Sequence, residues 1–313
     1  MDRAGGGDDF GGEEGAGNGQ AGGPRASWRR PADLPSALGL LGSGRWTLLA
    51  GGTDLYPAHV GRAIPGPILD LGGLRELRGI AVDGAGGRQA LRIGALTTWS
   101  DLVRASLPTA FEGLRMAARE VGGVQIQNQG TIGGNLCNAS PAADGVTALL
   151  ALDASVELAS SGGTRRLPLA AFVLGNRRTA LRSDELMTAV IVPARSSAAR
   201  SLFLKLGHRR YLVISIAMAG VALDVGPDGR IDHCAVAVGA CSAAALRLQA
   251  LERRVCGLRA TELAARCDAL LADEVFAPLA PIDDVRGTAA YRRDAARELV
   301  SRGLRELAAG IAA

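Results

Sequence analysis

The stretch Thr131-Ile132-Gly133-Gly134-Asn135-Leu136-Cys137-Asn138-Ala139-Ser140-Pro141-Ala142-Ala143-Asp144, here called the second motif, decides how we interpret this chain. It is too polar and too rich in glycine for a core strand, and the apolar run from Val146 to Leu152 follows directly. Gly133 and Gly134 can adopt backbone conformations that other residues avoid. Successive N–H groups in such a turn form a concavity suited to an anion. Asp144 is expected at the beginning of a helix, as its N-cap or as a ligand contact.

A similar stretch, the first motif, lies upstream as Leu48-Leu49-Ala50-Gly51-Gly52-Thr53-Asp54-Leu55. An apolar strand leads there into two glycines, a hydroxyl and a carboxylate. The two motifs lie about eighty residues apart, which suits one large ligand, such as a dinucleotide, held from two sides. Neither motif has the G-x-G-x-x-G pattern of a Rossmann site or the G-x-x-x-x-G-K-[ST] pattern of a P-loop. Two plain glycine-rich turns remain the alternative in a chain with 43 glycines.

Composition excludes several classes of function. Aromatic residues make up only 4% of the 313 residues, and the basic residues are spread along the chain. Too few rings are therefore present to stack nucleic-acid bases. No apolar run approaches the roughly 20 residues that span a bilayer, so no membrane insertion is expected. The five cysteines form no C-x-x-C pair, which argues against zinc and iron–sulfur sites and is typical of a reducing cytoplasm.

Hydrophobic patterning and turn residues predict an α+β chain. The Gly-rich segment 1–26 is expected to be disordered because it has almost no apolar residues. A first domain is predicted over 27–198 and a second domain over 199–313. Within the first domain we expect Ser100 to cap a helix, Pro193 to close the strand Leu186–Pro193, and Ser196–Ser201 to be a linker.

The second domain is predicted as a three-stranded antiparallel sheet with helices packed on it. Its expected strands are Leu202–Leu206, Ile214–Val225 and Ile231–Gly239, and its expected long helices are Thr261–Leu271 and Ala289–Ala309. The turn Gly226-Pro227-Asp228-Gly229 joins the last two strands as a hairpin.

Two polar features of the sequence are candidates for a functional role. Lys205 is the only lysine among 35 basic residues, and a compact ammonium does not replace a planar guanidinium at a tight site. Asp283, Asp284 and Arg286 form either a metal or acid site or a turn that caps the final helix. No set of residues predicts a catalytic base, a nucleophile or a metal centre in this chain.

Three separated segments resemble one family. Ala50-Gly51-Gly52-Thr53-Asp54-Leu55, Thr131-Ile132-Gly133-Gly134-Asn135 with Asp144, and Pro281-Ile282-Asp283-Asp284-Val285-Arg286-Gly287-Thr288-Ala289-Ala290-Tyr291-Arg292, here called the signature, stand in the order found in that family. They resemble the FAD-binding medium subunits of molybdenum hydroxylases of the carbon monoxide dehydrogenase and xanthine dehydrogenase type. The resemblance implies a two-subdomain FAD-binding domain of the PCMH type, split near residue 87 and followed by the family's C-terminal flavoprotein domain.

The resemblance also implies a set of FAD-binding residues: Leu48, Leu49, Ala50, Gly51, Gly52, Thr53, Asp54, Leu55, Thr131, Ile132, Gly133, Gly134, Asn135, Asp144, Met187 and Lys205. The first motif would wrap the pyrophosphate with backbone N–H groups, and the second motif would close on it from the other side. Asp144 would accept hydrogen bonds from the sugar-phosphate arm, and Met187 would pack beside the cofactor. Lys205 would lie near the flavin, where a cation favours the reduced, anionic ring.

The implied function is electron transfer without a catalytic residue of the chain's own. A molybdopterin large subunit would oxidise the substrate. FAD would take the electrons from a [2Fe-2S] small subunit and pass them to NAD or a quinone. The assembly expected from the resemblance is a dimer of heterotrimers in the cytoplasm. A self-contained FAD oxidase of the vanillyl-alcohol type and a non-redox nucleotide-binding assembly subunit are the alternatives.

Overall fold

A computed structural model describes residues 27–85 and 88–312 of the chain. The predicted disordered tail, residues 1–26, lies outside the described residues. The strands are, in chain order, β1 Trp28–Arg29, β2 Thr47–Leu49, β3 Ile68–Asp70, β4 Ile80–Ala85, β5 Arg88–Gly94, β6 Ser155–Ser160, β7 Gly163–Pro168, β8 Val173–Gly175, β9 Arg178–Thr179, β10 Leu186–Ser196, β11 Arg200–Leu206, β12 Ala217–Val225, β13 Ile231–Gly239 and β14 Leu246–Arg247. The α-helices are α1 Leu34–Ser43, α2 Trp99–Arg104, α3 Glu112–Glu120, α4 Val124–Gln129, α5 Ile132–Asn138, α6 Asp144–Ala151, α7 Leu169–Phe172, α8 Gln249–Val255, α9 Ala260–Leu270, α10 Asp273–Phe276 and α11 Ala289–Ala312.

The described strands form three sheets and one small hairpin. A parallel sheet has the order β1-β3-β2, and an antiparallel sheet has the order β4-β5-β10-β6-β7. A second antiparallel sheet has the order β11-β12-β13-β14, and β8 pairs with β9. The long strand β10 joins β5 to β6 and therefore ties the segments on either side of the second motif into one sheet.

The C-terminal sheet has four antiparallel strands, so the prediction of three is wrong. The fourth, β14, pairs through Ala237↔Arg247 and Val238↔Leu246. Two residues are too few to show an alternating pattern in the sequence. Strand β13 has the predicted bounds, whereas β12 begins at Ala217 and not at Ile214, because the preceding apolar residues belong to a loop.

Three predicted boundaries are also wrong. Thr98 caps α2 in place of Ser100, in a capping box in which Thr98 Oγ1 accepts from Asp101 N and Asp101 Oδ2 accepts from Thr98 N. Pro193 does not end β10, because the pairing with β5 shifts register around it, as is typical of proline at a bulge. The expected linker at 196–201 is reduced to the three residues between β10 and β11.

Helix α6 is the element that links the second motif to the C-terminal sheet. All eight of its residues are buried, as expected of a helix that is enclosed on every side. A Cβ atom at Gly220 on β12 would lie 2.9 Å from Thr147 O, and one at Gly239 on β13 would lie 2.1 Å from Thr147 Oγ1. The sheet therefore holds α6 at a distance that only glycine allows at these two positions.

A charged cluster fixes the chain just beyond the C-terminal end of α6. Asp153 Oδ2 contacts Arg195 Nη2 at 2.5 Å and His233 Nε2 at 2.9 Å, and Asp153 Oδ1 contacts Arg247 Nη1 at 2.5 Å. Burial alone would raise the pKa of Asp153, but hydrogen bonds from His233 and Arg247 and the charges of Arg247 and Arg195 hold it well below its usual value. His233 and Arg247 lie on the C-terminal sheet, so the cluster joins that sheet to the segment that follows α6.

Replacing Gly220 with alanine tests how tightly α6 is held. The added methyl would press on the backbone of Thr147, so Gly220→Ala is expected to lower the free energy of unfolding by about 1–3 kcal/mol. Gly39→Ala is the matched control, because a Cβ there, in the middle of α1, would meet no atom within 4 Å. It is expected to stabilise the protein by about 0.4–1 kcal/mol. Urea unfolding of both variants measures the difference, and equal effects would contradict the close packing.

Candidate functional site

A cavity of about 700 Å³ lies between the two glycine-rich motifs and the C-terminal sheet. Its size falls within the roughly 300–1,000 Å³ usual for small-molecule and cofactor sites. All but two of the site residues expected from the resemblance line it. The exceptions are Leu49 and Ile132, whose side chains are buried in the protein behind the cavity wall.

The two motifs meet in space, as the sequence predicts. Gly51 lies so close to the segment before the second motif that a Cβ atom there would be 1.9 Å from Gln129 O. Asn138 Nδ2 in α5 donates to Asp54 Oδ1 at 2.9 Å, and Arg177 Nη1 donates to Asn138 Oδ1 at 2.6 Å. The loop of the first motif is thus held against α5 by both close packing and side-chain hydrogen bonds.

The first motif turns sharply at its second glycine and leaves three backbone amides without protein acceptors among the described residues. Gly52 has a φ of +71°, and a Cβ there would lie 2.5 Å from the Tyr56 ring. Only glycine adopts this conformation without strain. Within residues 27–85 and 88–312, no acceptor is within hydrogen-bonding reach of the N–H groups of Gly51, Gly52 or Thr53. These amides are available to an anionic group in the cavity.

The second motif differs from its prediction, because it is not a loop of free amides. Thr131 caps α5, and its Oγ1 accepts from Gly134 N at 3.1 Å. Ile132 N donates to Thr97 O at 2.9 Å, and Gly133 N donates to Ala95 O at 2.8 Å. Neither glycine of this motif has a positive φ. The predicted anion-binding concavity is therefore wrong here, and the motif offers the cavity a close-packed surface of small residues.

Glycine at position 133 is still required, but for packing. A Cβ atom there would lie 2.8 Å from both Cβ and O of Ala95. Asn135, in the same helix, lines the cavity, and its Oδ1 is buried without a hydrogen-bond partner among the described residues. A buried polar atom left in this state is costly, and it packs against α6, where a Cβ atom at Gly145 would lie 2.8 Å from it.

An ion pair forms the wall of the cavity on the side of the C-terminal sheet. Lys205 Nζ donates to Asp144 Oδ2 at 2.7 Å and to Glu120 O at 3.1 Å, and Ser215 Oγ donates to Asp144 Oδ1 at 2.9 Å. The Asp144 and Lys205 side chains are each only 7% exposed. Burial raises the pKa of Asp144, and the Lys205 ammonium and the Ser215 hydroxyl oppose that effect. Asp144 is the first residue of α6 and Ala143 is its N-cap, so the N-cap alternative is wrong.

Sequence reasoning missed the apolar loop that completes the cavity. Leu212, Val213 and Ile214 lie between β11 and β12 and line the cavity together with Met187 of β10. Leu212 and Ile214 are nevertheless more than half exposed. In the sequence, the apolar residues from Ile214 onward cannot be distinguished from the beginning of β12. The sequence therefore has no local signal for a cavity-lining loop at this position.

The acidic turn of the signature caps a helix. Asp283 Oδ1 accepts from Ala289 N at 2.5 Å, at the first residue of α11, and Asp284 pairs with Arg286 and Arg292. In the part of the chain that the structure describes, no group of three or more His, Cys, Asp and Glu side chains is placed to hold a metal ion. No helix there is long and apolar enough to cross a bilayer.

Comparison with known proteins gives the family. Residues 24–195 match the family model described as the FAD binding domain in molybdopterin dehydrogenase. The chain belongs to this family. Residues 203–307 of the flavoprotein subunit match the model of the CO dehydrogenase flavoprotein C-terminal domain. The subunit is thus an oxidoreductase component of the carbon monoxide and xanthine dehydrogenase type, and FAD is its cofactor.

Individual relatives agree with both domain matches. The flavoprotein subunit is 31% identical to the carbon monoxide dehydrogenase medium chain of Hydrogenophaga pseudoflava over 90% of this chain and 96% of the relative. It is 39% identical to the nicotinate dehydrogenase FAD-subunit of Eubacterium barkeri over 64% of this chain and 69% of that relative. A solved structure of the Hydrogenophaga pseudoflava carbon monoxide dehydrogenase, lacking the Mo-pyranopterin moiety, matches with a TM-score of 0.80 at 29% identity, covering 92% of this chain and 98% of that chain.

The cavity has the volume and the lining groups needed to hold FAD. The volume is sufficient, and the first motif presents three amides without acceptors among the described residues. Met187 and the loop Leu212–Ile214 form apolar walls that suit a flat ring system.

Gly52→Ala is expected to release FAD. The methyl group would clash with the Tyr56 ring, and an alanine at a φ of +71° would be strained. The loop must therefore move, and its amides move with it. We expect FAD affinity to fall by at least about tenfold, which corresponds to about 1.4 kcal/mol. Gly61→Ala is the control, since Gly61 has a φ of +73° but no atom within 4 Å of a Cβ. Fluorescence titration of apo-protein with FAD measures both, and an equal loss in the two variants would mean that backbone strain alone is responsible.

Lys205→Met should be more harmful than the double variant Lys205→Met/Asp144→Asn. The single change leaves Asp144 buried and unpaired, which in comparable sites costs about 3–5 kcal/mol. Removing both charges recovers part of the lost stability, because the interior then holds no uncompensated carboxylate. Thermal and urea unfolding of the apo-protein measure the cycle. If the double variant is as unstable as the sum of its single changes, the two groups do not form an energetic pair.

Proposed function

We propose that this flavoprotein subunit carries electrons between two partners and performs no substrate chemistry itself. A molybdopterin large subunit oxidises the substrate, a [2Fe-2S] small subunit relays the electrons, and they leave from FAD to NAD or a quinone. When bound, FAD supplies the redox chemistry by accepting and passing on electrons. The relatives' names support the oxidoreductase class, and two of the cited relatives are named as a medium chain or FAD-subunit.

One observation carries the proposal: both glycine motifs and the Lys205–Asp144 pair border a single cavity. The positions of the site residues around this cavity support the roles that we propose for them. We assign the amides of Gly51, Gly52 and Thr53 to the pyrophosphate, and Asn135 to the close-packed wall beside the cofactor. Asp144 holds the sugar-phosphate arm or the ring edge together with Lys205.

The remaining residues exclude water and orient the ring. Met187 and the loop Leu212–Ile214 supply apolar contacts that shield a bound ring system from solvent. No catalytic triad or acid–base pair is required of this chain, because its contribution is to bind and orient.

The same proposal covers the assembly and its compartment. The chain divides into a tail at 1–26, an FAD-binding domain at 27–198 with subdomains split near 87, and a C-terminal domain at 199–313. It works in a dimer of heterotrimers in the cytoplasm. All five cysteines are free thiols, which supports a reducing compartment.

Anaerobic reduction tests the direction of electron flow. The FAD-loaded chain is mixed with a purified [2Fe-2S] small subunit that has been reduced with dithionite and freed from excess reductant. We expect the visible flavin absorption to bleach, and to return when NAD or a quinone is added. The cluster-free small subunit is the control and should leave the flavin oxidised.

Other outcomes separate the alternatives. Bleaching of the isolated chain by an alcohol substrate such as vanillyl alcohol, without any partner, would establish a self-contained oxidase. A chain that remains colourless after incubation with FAD would leave only the non-redox scaffold. An oxidised flavin in the presence of the reduced cluster would exclude the proposed relay.

A further inference from the structure

The signature contains a buried arginine that the cofactor contacts do not explain. Arg292 is only 3% exposed, although it carries a permanent charge. It lies on the first turn of α11 and does not line the cavity. A buried guanidinium is tolerated only where its donors are used, so its partners indicate what it holds in place.

Arg292 uses its two terminal nitrogens on three acceptors from different segments. Nη1 donates to Ile216 O at 2.7 Å and to Ala240 O at 3.1 Å, and Nη2 donates to Asp284 Oδ1 at 2.6 Å. Its Nε is buried without a partner among the described residues. A planar fork reaches these acceptors together, whereas a single ammonium does not.

The first branch from Arg292 leads to the ion pair in the cavity wall. Ile216 follows Ser215 directly, and Ser215 Oγ donates to Asp144 Oδ1 at 2.9 Å. Ile216 N also donates to Leu206 O at 2.8 Å, which closes the loop that carries Leu212–Ile214. Fixing the carbonyl of Ile216 therefore fixes both the hydroxyl that Asp144 accepts from and one end of the apolar loop.

The second branch leads to the same stretch of the second motif. Ala240 has a φ of +61°, a strained value for a residue with a side chain. Its N–H donates to Pro141 O at 2.9 Å, three residues before Asp144. Arg292 thus braces the second motif at Pro141 as well as at Asp144.

The guanidinium is itself held by the rest of the signature. Asp284 also accepts from Arg286 N at 2.7 Å, and Asp284 and Gly287 exchange backbone hydrogen bonds of 3.2 and 3.1 Å. The hydrogen bond from the Arg286 amide, with Arg292 adding to it, lowers the pKa of Asp284, so the carboxylate stays charged opposite Arg292. Asp283 and Thr288 accept from Ala289 N and Tyr291 N and fix the first turn of α11.

We propose that Arg292 is a positioning residue for the FAD site, which acts through Ile216 and Ser215 on Asp144 and braces Pro141 through Ala240. The signature is then the outer support of the cofactor site, although none of its residues lines the cavity. This inference rests on the binding of FAD in that cavity.

The test is the FAD affinity of Arg292→Lys, alone and combined with Ser215→Ala. Arg292→Lys keeps the positive charge but cannot serve both carbonyls and the carboxylate. We expect it to weaken FAD binding by about tenfold, as for loss of a hydrogen bond to a charged group. In the Ser215→Ala background the same change should cost less than about threefold, because one of the two links through which Arg292 acts is already broken. The visible circular dichroism of bound FAD should change in the single variant as well.

Arg293→Lys is the matched control. Arg293 is the next residue on α11, is half-buried, and donates from Nη2 to Leu279 O, its one acceptor within residues 27–85 and 88–312. Its replacement should leave FAD affinity and the dichroism unchanged. If Arg292→Lys does not fold, Asp284→Asn replaces it: this change leaves the guanidinium in place without its carboxylate. It should weaken FAD binding by about threefold, and by less than that in the Ser215→Ala background.

Three outcomes would overturn the inference. FAD affinity unchanged in Arg292→Lys, with only the melting temperature lowered, would make Arg292 a residue of fold stability alone. An equal loss of affinity with and without Ser215→Ala would show that it does not act through Ser215. An equal loss in Arg293→Lys would make the effect a general property of α11. Failure of the wild-type chain to bind FAD would be a different result, because it would refute the cofactor assignment itself.

Discussion

The ion pair between Lys205 and Asp144 is the constraint on which the arrangement of the site depends. It joins β11 of the C-terminal sheet to the first residue of α6, and both side chains are almost fully buried. Taking two charges out of water is expensive, and their mutual attraction offsets this only when geometry and further hydrogen bonds are good. Ser215 and the carbonyl of Glu120 supply those hydrogen bonds. The C-terminal sheet must therefore stay closely packed on α6 for the pair to remain satisfied.

The packing around α6 meets that requirement at the middle of the helix and beyond its C-terminal end. Glycines on β12 and β13 allow the sheet to approach Thr147 closely, and the Asp153 cluster ties the far end to β13 and β14. Because interiors are close-packed, a shift at one end of a buried helix is transmitted to the other and not absorbed. The C-terminal segment consequently forms part of the cavity wall, even though most of the glycine-rich lining comes from the N-terminal half of the chain.

Much of this could be read from the sequence, and the failures have physical causes. Both motifs, the lone Lys205 and the final helix were predictable because glycine pairs, a rare residue and a 3.6-residue period are local signals. The two glycines of the second motif predict a loop, because glycine disfavours helices. Its close approach to Ala95 requires glycine all the same, and tertiary contact outweighed propensity. The loop Leu212–Ile214 and the two-residue β14 have no local signal that distinguishes them.

The buried pair also changes what Lys205 contributes to the cavity. An isolated ammonium about 4 Å from a unit negative charge would contribute about 4 kcal/mol at an effective dielectric constant of 20. Lys205, however, lies 2.7 Å from a carboxylate that borders the same cavity. A bound cofactor therefore meets a near-neutral pair whose field is that of a dipole, which falls off faster with distance than that of a lone charge. Stabilisation of a reduced, anionic ring must then depend on which end of the pair it faces, so the position of Asp144 matters as much as the presence of the lysine.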